Sequence, residues 1–167
     1  MPEMNSEMKY VKAAELFRLT REIIEQDGHV WITVTGMSMY PFLKDGRDSV
    51  ELSKATFGNI RKGDIVLIRR ANGAFVLHRV LKKEKNCFYI IGDAQQWVEG
   101  PLIPEQLQSV VTRIKRRKRV IRCDNPLLKV CVLVWIIFIP IRYKIFRVAR
   151  LVKKLLIKIF PGLLSNS

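Results

Sequence analysis

At 167 residues, 49% of them apolar, the chain has the length for one domain with an appendage and enough apolar matter for a packed core. Thirty Lys and Arg against fifteen acids give +15, and the excess is local: 15 basic residues and one acid, Asp124, lie between Arg113 and Phe160, while the rest is nearly neutral. Three cysteines, Cys87, Cys123 and Cys131, are odd in number and lack a CxxC or metal-type spacing, which argues against a disulfide framework and fits a reducing compartment.

Taken in order, the elements begin with a predicted amphipathic helix over 6–26. Ala13, Leu16, Phe17, Ile23 and Ile24 recur at helical spacing, and Asp27-Gly28 supplies a stop. The stretch lacks the apolar run of a secretory signal, so a cytoplasmic location is expected. Short β-type runs follow over 30–35, 49–52, 64–70, 74–81, 87–91 and 107–114. The third and fourth runs flank Ala71-Asn72-Gly73, which reads as a hairpin turn. Strands at this spacing predict a mainly β domain, a curved antiparallel sheet or partial barrel. The organisation expected is therefore an N-terminal helix over 1–28, a β-rich domain over 29–122 and a helical tail over 123–167.

The tail opens with the basic run Lys115 to Arg119. Leu127 to Ile141 is apolar except for Lys129, and as a helix it would reach roughly 22 Å, short of the roughly 30 Å hydrocarbon core. In 142–160, Ile145, Val148, Val152, Leu155 and Ile159 fall on one stripe, with Lys144, Arg147, Arg150, Lys154 and Lys158 largely opposite. The expectation is an anionic membrane surface as partner through residues 113–160. The apolar run then dips into one leaflet at the cytoplasmic face; a single span and a helix buried on the β domain are the alternatives. Phosphate contacts by the basic run would suit nucleic acid, but the tail has no interleaved aromatic stacking residues, which favours lipid.

Chemistry concentrates in a few places. Gly36-Met37-Ser38-Met39-Tyr40-Pro41 follows a strand: Gly36 permits a bend, Pro41 fixes the exit, and Ser38 sits where its hydroxyl would be exposed. Such a hydroxyl needs a base to become a nucleophile. His78, in Phe75 to Val80, shares a strand face with Val76 and Val80, and an imidazole of ordinary pKa, about 6.5, suits that role near neutrality. His29, just before its strand, reads as a surface residue. Asp93 after Ile90-Ile91-Gly92, and Glu99 six residues on, are the carboxylates that could hold the imidazole in its working tautomer. No metal or cofactor is called for.

The order of Gly36 to Pro41, Lys62-Gly63-Asp64-Ile65-Val66, His78-Arg79-Val80 and Gly92-Asp93-Ala94 resembles the signal peptidase I family over residues 33–114. With His78 where most bacterial members carry lysine, the likeness is to the Ser/His branch of archaea, the endoplasmic reticulum and some Gram-positive bacteria. The resemblance implies a β-rich serine peptidase that cleaves a leader or signal peptide of a preprotein after small residues, without metal. It makes Ser38 the nucleophile and His78 the general base, and puts Gly36, Met37, Met39 and Pro41 in the substrate and oxyanion region. Asp93 is favoured as orienter by motif match, ahead of Glu99, which stands where the family often has a second aspartate. A catalytically inactive relative or a basic binding module at membranes or nucleic acid is the competing reading.

Overall fold

A computed structural model describes residue 20 and residues 22–26, 28–139, 141, 144 and 152. Residue 20 and residues 22–25 are helical and residue 26 is in a turn; residues 6–19 and 21 of the helix expected over 6–26, and nearly all of the basic segment 142–160, lie outside the described residues.

Eight strands form one antiparallel sheet: β1 (Val30–Thr33), β2 (Asp48–Ser53), β3 (Ile65–Arg69), β4 (Phe75–Lys83), β5 (Phe88–Ile91), β6 (Glu99–Leu102), β7 (Leu107–Arg116) and β8 (Arg119–Arg122). Their order is β1-β2-β7-β3-β4-β5-β6, with β8 paired to β7. This is the mainly β, open and curled sheet that the run spacing predicts. Two strands were not legible. Glu99-Gly100-Pro101-Leu102 is not among the predicted runs, yet it pairs with β5. Arg119–Arg122 reads as part of a basic tail, yet it returns along β7, with Arg117 at φ 56 in the turn. The run Lys115 to Arg119 is thus a β hairpin, and Arg116 in it is held by the fully buried Asp48 carboxylate.

The run Ile65-Val66-Leu67-Ile68 is continuously apolar because β3 is covered on both sides. Ile65 and Leu67 face a cluster with Met39, Leu43, Leu52 and Ile114, on which Leu77 packs. Val66 and Ile68 face a second cluster with Val80, Phe88, Ile90 and Leu102. Each fully buried side chain of this size contributes on the order of 1.5–3 kcal/mol, so the centre of the sheet is its rigid part. The loop carrying Ser38 is fixed to that centre through Met39 and Leu43, whose backbones join by Leu43 N–H to Met39 carbonyl at 2.8 Å.

A helix, α1 (Pro126–Ile137), follows β8. Asn125 starts it by accepting the amides of Leu127 and Leu128 on its side-chain oxygen, which satisfies two of the orphan donors of the first turn. Val132 and Ile136 are buried against the domain. No helix among the described residues is long and apolar enough to cross a membrane.

Candidate active site

His78 lies in the middle of β4, opposite Val66 of β3. On its other side β4 pairs with β5 through Arg79↔Ile91 and Val80↔Ile90. Continuing that register by one residue sets Gly92 across from His78, and directly opposed residues of an antiparallel pair project to the same face. A Cβ added at Gly92 would stand 2.7 Å from the Ser38 carbonyl oxygen. Gly92 is therefore a place where the Ser38 backbone approaches closely, on the face that carries the imidazole. One residue further on, the Ala94 amide donates to the Ser38 carbonyl at 2.8 Å.

The bend before Ser38 needs the glycine at position 36: its φ is +79°, a region where a side chain is strained. The turn continues with Tyr40 N–H to the Met37 carbonyl at 3.1 Å and a cis Tyr40–Pro41 peptide. Met37 and Tyr40 are exposed, Met39 is buried and Ser38 is half-buried. Among the described residues the Ser38 and Met39 amides have no acceptor. Beside Ser38 lies a groove of about 580 Å³ walled by Trp31, Val34, Met39, Leu67, Phe75 and Leu77, along the edge strand β1.

The two candidate carboxylates take different positions. Asp93 is buried, and both its oxygens are engaged by Arg79, Nε at 2.7 Å and Nη2 at 2.6 Å. Arg79 in turn donates to the Gly63 carbonyl at 2.6 Å and lies over the Phe42 ring at 4.9 Å from its centroid. This explains His78-Arg79 and Gly92-Asp93 as paired motifs: alternation turns Arg79 away from His78, and the pair ties β4 to the turn after β5. Motif match had favoured Asp93 as the partner of His78; the strand geometry instead brings Glu99 there. Ile90 pairs with both Val80 and Glu99, so Glu99 is on the face of Val80 and His78. Its Oε2 is 3.8 Å from His78 Nδ1. Nδ1 is buried and makes no hydrogen bond. Glu99 is fixed by Arg70, whose Nε donates to Oε1 at 2.6 Å. Arg70 was not singled out in the sequence, because nothing at the end of β3 announces a partner 29 residues away.

Burial sets the charge states. It pushes the His78 imidazole down to about 4, against the raising effect of Glu99 and with a further lowering by Arg70. The ordinary imidazole value expected above is thus corrected: the ring is neutral and able to accept a proton at neutral pH, as a weaker base than a free imidazole. Hydrogen bonding from Arg70 holds Glu99 below the usual carboxylate range despite burial. The site therefore presents a neutral imidazole, an ionised carboxylate toward its Nδ1 and a serine on the adjoining turn. His29 makes a separate contact, Nδ1 to Ser53 Oγ at 2.7 Å, and is exposed.

His78 on the interior strand β4 and Glu99 on β6 share one face of the sheet, and the Ser38 backbone rests on Gly92 beside them. The profile of the Peptidase S24-like family matches residues 4–114, and the chain belongs to that family. No curated protein and no solved structure matched it. The membership supports a serine-peptidase-like fold and chemistry.

Proposed function

We propose that the chain is a serine endopeptidase in which Ser38 is the nucleophile, His78 the general base and Glu99 the residue that orients it. The observation that carries the reading is the approach of Glu99 to His78 Nδ1, on a face where Gly92 makes room for the Ser38 backbone. Ser38 Oγ attacks the scissile carbonyl carbon as its proton passes to the other ring nitrogen, Nε2. Glu99 offsets the charge that forms on the imidazolium, and the same proton is then given to the departing amine. Water, activated by the freed imidazole, hydrolyses the acyl-enzyme and restores Ser38. The unbonded amide of Ser38 is the first donor to the oxyanion. A peptide lying extended in the apolar groove along β1 would bring its scissile bond to Ser38.

The substrate class follows from the four ordered motifs that resemble signal peptidase I: a leader or signal peptide, cut after small residues. Incubation of the full chain with a peptide library tests this. Cleavage after Ala, Gly or Ser that is lost in Ser38→Ala supports the reading, and cleavage retained in that variant refutes it. The competing reading of a catalytically inactive relative draws on the 3.8 Å separation of Glu99 and His78, longer than a hydrogen bond. Catalytic contacts are often loose before substrate binds, so the distance alone does not favour it. Failure of Ser38 to react with a fluorophosphonate probe, in a folded protein, would.

A further inference from the structure

Helix α1 is held to the domain by a single stripe. Val132 and Ile136 are buried, Leu128 packs on the cluster around Met39, and Trp135 Nε1 donates to the Asp93 carbonyl at 3.2 Å. The Trp135 ring also meets Phe42 edge-on, with centroids 5.9 Å apart. Positions 128, 132, 135 and 136 trace one face of a helix. The other face is apolar too, and it is left open: Val130 and Val134 are exposed, and Leu127 and Ile137 are each 72% exposed. Lys129 is the one charged residue of the helix. A contiguous apolar surface of this kind on a small domain marks a contact rather than chance exposure.

Charge says what covers it. Arg61, Lys62 and Lys129, with Asp64 as the one acid, line a cavity of about 270 Å³ at the base of α1, together with Leu128 and Val132. In the sequence, α1 lies between the basic β7–β8 hairpin and the basic segment 142–160. A second copy on the open stripe would bring two such like-charged regions together, at an electrostatic cost. By itself α1 is too short to span, since its 12 residues rise roughly 18 Å against a hydrocarbon core of roughly 30 Å. We infer that α1 lies flat in the interface of an anionic bilayer, with its open stripe in the acyl boundary and Arg61, Lys62 and Lys129 at the lipid phosphates.

The attachment also bears on the site, and this part rests on the peptidase reading. Trp135 holds the Asp93 carbonyl, and the neighbouring Ala94 amide holds the Ser38 carbonyl. The seated helix and the nucleophile loop thus grip the same turn, so lipid steadies the turn on which Ser38 rests.

Flotation of the full chain with vesicles of phosphatidylglycerol and phosphatidylcholine, at low and high salt, tests the inference. The protein should rise with the anionic vesicles, rise little with phosphatidylcholine alone, and remain partly bound at high salt. Val130→Glu with Ile137→Glu should lower binding at least about tenfold, since two charges would enter the acyl boundary. Their thermal unfolding should match wild type because both positions are exposed. Arg61→Gln with Lys62→Gln should weaken only the anionic component, several-fold. Wild type left at the bottom of the gradient, or the double-Glu variant floating like wild type, overturns the inference. So does a dimer by light scattering that the double-Glu change dissolves without vesicle binding. Ser38→Ala should float unchanged; if it floats but peptide cleavage does not depend on Ser38, the peptidase reading fails and the lipid attachment stands.

Discussion

Arg79 and Asp93 form a buried two-point ion pair, with both carboxylate oxygens within 2.7 Å of guanidinium nitrogens. The pair joins β4 to the turn that receives the Ser38 carbonyl, and it separates the two acids that the sequence left in competition. Asp93 is bound by Arg79 through both oxygens, and Glu99 is the acid beside the imidazole.

That separation predicts opposite mutant behaviour. Asp93→Asn leaves the Arg79 charge buried without its counter-ion and should destabilise the fold by about 3–5 kcal/mol. Glu99→Gln should leave the fold nearly as stable but lower kcat by roughly 10²–10⁴, as loss of an orienting carboxylate does. Denaturant melts and peptide cleavage on the two variants suffice. A fully active Glu99→Gln enzyme would exclude Glu99 from the mechanism.

Ser38 and His78 are expected to act as one unit. Ser38→Ala and His78→Ala should each abolish nearly all cleavage, and the double variant should lose little more. Independent, multiplying losses would argue that His78 is only a core residue.

Burial of His78 has two readouts against pH. As general base its acid limb in kcat/KM should lie near 4, the value to which burial pushes the ring, and the profile should stay level through the ordinary imidazole range. Stability should respond at higher pH. The folded imidazole has the lower pKa, so the unfolded chain binds the proton first as pH falls below about 6.5. The stability present above 6.5 is therefore lost progressively down to about 4, on the order of 3 kcal/mol. His78→Phe should flatten this segment of the stability curve. An unchanged slope would show that the ring is not buried neutral.

Gly92 should tolerate no side chain. The added methyl of Gly92→Ala would meet the Ser38 carbonyl and the Gln95 side-chain oxygen, both at 2.7 Å. The glutamine can swing away, but the carbonyl belongs to the nucleophile's own backbone. Cleavage should fall at least about tenfold, because a displacement near 1 Å at the reacting group is enough for that. Fluorophosphonate labelling of Ser38 should slow in parallel, and unchanged labelling would mean that the loop does not rest on Gly92.

Local patterning alone revealed six of the eight strands, the apolar run from Leu127, the serine turn and the histidine strand. These rest on features within a few residues of each other: alternation, a continuous apolar run, a glycine before a bend. β6 was hidden because Gly100 and Pro101 are turn formers, and only pairing with β5 makes them a strand. β8 was hidden because charge dominates its composition, and only the return along β7 explains it. The choice between Asp93 and Glu99 was decided by tertiary structure, since spacing along the chain cannot say which acid shares a face with His78. Strand register does: it puts Glu99 in the row of Ile90 and Val80 and turns Arg79 toward Asp93. The charge state of His78 was likewise beyond the sequence, because it follows from how completely the two packed faces exclude water from the ring.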